Sequence, residues 1–143
     1  MAYWNIRRKA LHTAGIILFL LGTFFSASSA SAGNSVTHIT LNPATPNILS
    51  NQEKVSIAFS YTTTQPEGVR IFARPFVGNA PAPAYAASPA PISPVGSGSG
   101  TQFFTISSGN VAVNRIRFQM FNAAQTKLLF EAYLPVSYEF RAP

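Results

Sequence analysis

Apolar and polar positions alternate through most of the chain. In KVSIAFSYTTT, Val55, Ile57, Phe59 and Tyr61 fall on one parity and Ser56, Ala58, Ser60 and Thr62 on the other, the period of a half-buried strand. VRIFARPF (69–76) and QFFTIS continue the habit, and NRIRFQMFN sets Ile116, Phe118 and Met120 against Arg115, Arg117 and Gln119. The longest run comes last: Leu128, Phe130, Ala132, Leu134, Val136, Tyr138 and Phe140 share one parity, interrupted on the other by Pro135, which cannot donate a ladder hydrogen bond. That run predicts two consecutive strands, or one edge strand with a bend. Beyond residue 32 no stretch holds a 3.6-residue period, so the expected class is all-β.

Turn signals divide these runs. VTHITL (36–41) predicts a short first strand ended by Pro43 and Pro46; QPEG (65–68) carries proline at the second turn position; SGN (108–110) and NAAQT (122–126) suit short connections. About seven strands result, the pattern of a single antiparallel two-sheet β-sandwich. At this level the chain resembles immunoglobulin-like and fibronectin type III domains in architecture. Neither the paired cysteines nor the strand-central tryptophan of the immunoglobulin pattern is present, and the one tryptophan, Trp4, stands at the N-terminus.

One stretch breaks the alternation. NAPAPAYAASPAPISPVGSGSG (79–100) has five prolines and no charge. As a linker it would leave two pieces of some 40 residues to fold alone without cysteine, below the size at which a chain buries a sufficient core. The expectation is one long internal loop over residues 77–100, extended in its proline-rich part and flexible through Gly96–Gly100. Tyr85, Ile92 and Val95 either pin this loop to the sandwich, or leave Tyr85 free to meet a ligand.

The N-terminus reads as an address. Arg7, Arg8 and Lys9 precede an uncharged apolar run, Ala14–Phe25, and Ala30-Ser31-Ala32 has the small-x-small pattern of a cleavage site. The run is short for a membrane span and turns serine-rich, so residues 1–32 are expected to be a cleavable secretory signal peptide, leaving no transmembrane segment. Arg7-Arg8 raises twin-arginine export, but the apolar pair usual after it is missing, and general secretion fits better. The remainder, residues 33–143, is of ordinary domain size and has no cysteine, which favours bacterial export to the periplasm or the cell exterior. Removing the leader lowers the net charge from +6 to +3.

Candidate chemistry is sparse. Residues 33–143 contain no aspartate and a single histidine, His38, and the four glutamates lie in turns or on the polar parity of the last run. No metal set, calcium loop, nucleophile elbow or phosphate loop can be assembled, so no catalytic, metal or cofactor residue is expected. The chemistry that remains is cationic and aromatic. If Val69, Ile71 and Ala73 point inward, then Arg70, Phe72, Arg74 and Phe76 form an outer stripe, and Arg115, Arg117 and Phe121 form a second.

Were the two strands neighbours, these seven residues, with Tyr85 from the loop, would be candidate ligand contacts. They suit an anionic polysaccharide, a lipid headgroup or an acidic protein. No nucleic-acid motif supports a nucleic-acid partner. The expected function is a non-catalytic binding or adhesion module. The alternative is a self-assembling cell-surface subunit that adds Leu128–Phe140 to another sheet. Mass spectrometry of the exported protein is expected to find Gly33 as its first residue; a retained N-terminal segment would replace the cleavage reading with a membrane anchor.

Overall fold

The computed structural model describes residues 17–19 and 26–143. Arg7–Lys9 and most of the apolar run therefore lie outside the described residues. The strands are β1 (Ile17–Phe19), β2 (Ser26–Ala30), β3 (Ser35–Asn42), β4 (Asn47–Ser50), β5 (Val55–Thr63), β6 (Val69–Val77), β7 (Ala80–Pro81), β8 (Tyr85–Ala87), β9 (Ile92–Ser93), β10 (Gly96–Ile106), β11 (Val111–Asn122) and β12 (Leu128–Arg141). They form two facing sheets. Sheet A has the order β1-β3-β5-β10-β8; sheet B has the order β2-β12-β11-β6-β7, with β4 added along β12 and β9 along β6. All pairings are antiparallel except β4 with β12. The chain is an all-β sandwich of immunoglobulin-like architecture, as the alternation predicts.

Burial follows that alternation. Val55, Ile57, Phe59 and Tyr61 of β5 face Ile116, Phe118 and Met120 of β11 and the inward residues of β12 across one continuous core. Phe104 meets Tyr138 edge-on and lies tilted against Phe140, joining the two sheets through rings. Of the two orientations the sequence leaves open for β6, the structure takes the one with Val69, Ile71 and Ala73 buried inward. The polar groups of the turns bond locally, with Gly68 N–H donating to Gln65 and the Asn122 carboxamide accepting from Thr126 and Lys127.

One expectation about the last run changes. β12 is one strand of 14 residues, and the irregularity at Pro135 is absorbed as a register shift against β11 between Val113 and Arg115. β11 pairs one side of it, β2 and β4 pair stretches of the other, and its inward side chains are core. β2 comes from within the expected leader, so removal of that leader would leave the Phe130–Tyr133 edge open to another strand.

The proline-rich stretch is not a long loop. Within residues 77–100 lie β7, β8, β9 and the start of β10, and Gly96–Gly100 pair with Thr63–Phe59 of β5 instead of forming a flexible tether. The glycines serve the packing. Gly98 and Gly100 stand opposite Tyr61 and Phe59, and a Cβ on Gly100 would come within 2.7 Å of the Phe59 ring. The rings fill the space that side chains would take, and the Tyr61 hydroxyl reaches the Pro94 carbonyl at 2.9 Å.

Tyr85, Ile92 and Val95 do not pin the segment, being 37, 50 and 52% exposed. Small residues do so instead. Ala82, Ser88 and Ala90 are buried, while Ala82 N–H donates to Pro75 and Ser88 N–H to Phe103. Proline-alanine backbone lies flat against the sandwich where a bulky side chain would hold it away.

The segment runs along an edge that would otherwise be open. β9 covers β6 at Val69–Arg70 and β7 covers it at Phe76–Val77, so that among the described residues Ile71–Ala73 have no strand partner on that side. Gln102, on β10 of the opposite sheet and 4% exposed, fills the gap. Its Oε1 accepts from Ala73 N–H at 3.2 Å and its Nε2 donates to Ile71 C=O at 2.7 Å and to Pro89 C=O at 3.3 Å. Gln102→Leu keeps the volume and removes the amide, leaving buried backbone groups unpaired. Chemical denaturation is expected to register a loss of about 2–4 kcal/mol; a loss below about 0.5 kcal/mol, the scale of ordinary surface changes, would show that water replaces the amide.

Candidate functional site

The outer face of sheet B gathers the cationic and aromatic residues. β6 and β11 are neighbours, and their register sets Arg70 against Phe121, Phe72 against Gln119, Arg74 against Arg117 and Phe76 against Arg115. All seven β6 and β11 residues singled out from the sequence therefore share one surface. β12 adds Tyr133, opposite Arg117, and Glu131, opposite Gln119. Tyr133 escapes a reading of β12 that follows only its apolar parity; the outward parity of the same strand carries it.

Rings and guanidinium groups are layered. Phe72 meets Phe121 edge-on, and Phe76 meets Tyr133 in the same way, both with centroids 5.9 Å apart. Arg117 lies over Phe76 at 4.6 Å, Arg115 over Tyr133 at 4.6 Å and Arg74 over Phe72 at 5.1 Å. Phe76 is buried to 3% exposure although it points outward, because Arg117 and Tyr133 cover it. An arginine stem can shield apolar surface while its head stays near water.

The four arginines differ in what they bond. Arg70 donates to the Ala123 and Ala90 carbonyls, tying the β11–β12 loop to the proline-rich segment. Arg115 donates to Asn79 Oδ1 and Gly78 C=O. Arg74 donates to Ala73 C=O and to the buried Gln102 Oε1. Among the described residues the Arg117 guanidinium finds no acceptor, and its Nε is buried without a partner.

Among the described residues no carboxylate pairs with these four arginines. Among the described residues the one ion pair joins Arg141 to Glu139, and Glu131 accepts from Gln119 Nε2 at 2.6 Å. Burial pulls the Arg74 guanidinium below its ordinary range; the Tyr85 hydroxyl opposes this and the Arg117 charge adds to it. Tyr85, 37% exposed, enters the site from β8 of sheet A. It lines a hollow of about 240 Å³ with Phe72, Arg74, Arg117, Gln119, Phe121 and Gln125.

Elsewhere the molecule offers less chemistry. Among the described residues no three His, Cys, Asp or Glu side chains gather as a metal set, and no helix is long and apolar enough to cross a membrane. His38 sits exposed on a bulge of β3 and bonds Thr37.

Fold and site together define a two-sheet immunoglobulin-like sandwich with a cationic-aromatic outer face. No protein-family model matches the chain, and neither does any curated protein. Among solved structures it is similar to a Niemann-Pick type C2 protein from Japanese carpenter ant, with a TM-score of 0.54 over 82% of this chain and 98% of that one. Sequence identity is 9%, so the likeness is one of fold.

Like charges directly opposite each other weaken a sheet, and a buried unpaired donor adds to the cost. Arg117→Met keeps the stem over Phe76 and removes both. The thermal unfolding midpoint in low-salt buffer without sulfate, phosphate or carboxylate ions is expected to rise by a few degrees, about 1 kcal/mol. A lowered midpoint would instead show that the cation–π contact of Arg117 with Phe76 outweighs both costs.

Proposed function

We propose that this chain is an exported, non-catalytic β-sandwich that binds anionic ligands on the outer face of sheet B. One observation carries the reading. Four arginines stand on one face of two neighbouring strands, three of them over aromatic rings, and none is ion-paired among the described residues.

A solvated sheet kept soluble by charge gains nothing from placing like charges opposite each other, and mixed signs would serve it better. A face that meets an anion does gain. The guanidinium groups keep N–H donors available for bidentate bonds to oxyanions, and uncompensated positive potential raises the encounter rate. The apolar leader with its Ala30-Ser31-Ala32 ending supports export. The single histidine and the absence of aspartate in residues 33–143 support binding over catalysis.

Chromatography on an immobilised polyanion such as heparin tests this. The protein is expected to be retained into a salt gradient, and Arg74→Ser/Arg117→Ser to elute well before Lys54→Ser/Lys127→Ser, which loses the same charge elsewhere. Equal shifts from the two double variants would reduce the interaction to net charge and remove the site.

A further inference from the structure

Arg117 differs from the other three arginines of the face. Arg70, Arg74 and Arg115 are each held by carbonyl or carboxamide oxygens of the fold. Arg117 faces Arg74 directly in register, which folding alone opposes. Arg117 also keeps a buried Nε without a partner, in a site where buried donors are as a rule satisfied. An anion between the two guanidinium groups removes both penalties at once.

We propose that the space between Arg74 and Arg117 is the seat of a single oxyanion, the carboxylate or sulfate ester of one unit in an acidic saccharide. This rests on the anion-binding reading of the outer face and narrows it from four arginines to two. The hollow supplies the rest of such a unit's needs. Tyr85, Gln119 and Gln125 bring hydroxyl and amide groups suited to sugar hydroxyls, and Phe72 and Phe121 bring ring surface suited to the C–H face of a pyranose. At about 240 Å³ it lies below the range of about 300–1,000 Å³ typical of sites that enclose a whole ligand. It is sized for one unit of a chain that continues along the sheet.

A lipid surface fits less well. Membrane insertion calls for protruding apolar side chains, yet Phe72 and Phe121 are half-buried against each other, and Tyr85 is the one exposed large ring lining the hollow. The Arg74 guanidinium, already partly withdrawn from water, gives up little further hydration on meeting an anion.

The test titrates the protein as exported, by calorimetry, with a uronic-acid oligosaccharide, a neutral oligosaccharide of equal length, sodium sulfate, and vesicles of phosphatidylglycerol and phosphatidylcholine. The uronic-acid oligosaccharide is expected to bind and the neutral one not. Arg117→Gln and Arg74→Gln are each expected to weaken binding by about tenfold or more, and Arg115→Gln by less than about threefold. Thermal melts establish that each variant folds; Arg117→Gln decides the matter should loss of the Gln102 contact unfold Arg74→Gln.

Equal weakening by Arg115→Gln would overturn the seat while leaving the anion-binding face intact. Binding of vesicles without the oligosaccharide would overturn the saccharide assignment. Binding of sulfate alone would do the same, making the pair an adventitious ion site only. No binding to any of the four probes would overturn both the seat and the face.

Discussion

Sheet B is completed on one side by a side chain. Along β6, Ile71 and Ala73 are buried in the core, yet the strand pieces β9 and β7 stop short of them. A glutamine amide carries one acceptor and two donors, so Gln102 can take the place of a missing strand residue, receiving one N–H and returning one to a carbonyl. A carboxylate would supply no donor for Ile71, and a leucine would supply nothing. Because Gln102 belongs to β10, the same amide joins the two sheets at the edge where the proline-rich segment crosses. Its second Nε2 hydrogen reaches Pro89 in that segment.

The cationic-aromatic face depends on this closure. Gln102 Oε1 also receives the Arg74 guanidinium, so the amide that seals the core edge positions one of the two facing arginines. The packed segment in turn carries Tyr85 from sheet A to the rim of sheet B. Core, edge and surface are thus linked through one residue. A change at position 102 would act at the surface as well as on stability, since buried polar networks fail as units.

The outer face also shows where this fold departs from what stability alone favours. Rings laid edge to face give a rigid floor, and the arginine stems cover it, which accounts for an outward Phe76 that is almost fully buried. Against that gain stand the opposed Arg74 and Arg117 and the unpaired Arg117 Nε. Local rules broken at one place in an otherwise consistent sandwich single that place out as the candidate site.

Alternation alone determined the all-β class and the inward set on β5, β11 and β12, because a period of two sorts residues between core and solvent without reference to partners; on β6 both parities carry apolar residues, and only the structure chose between them. Alternation also exposed the arginine-phenylalanine pattern on the two strands. Register and adjacency were decided only in three dimensions. Nothing local to β6 says that β11 lies beside it, or that Arg74 meets Arg117 and not Gln119. The glycines of 96–100 read locally as a flexible tether, and became strand because Phe59 and Tyr61 needed the space above them. The proline-rich stretch read as a loop, and became three short strands along an edge whose remaining gap is closed by Gln102, 29 residues on from Ala73. Long-range pairing is what a local pattern cannot carry, and here it made the site.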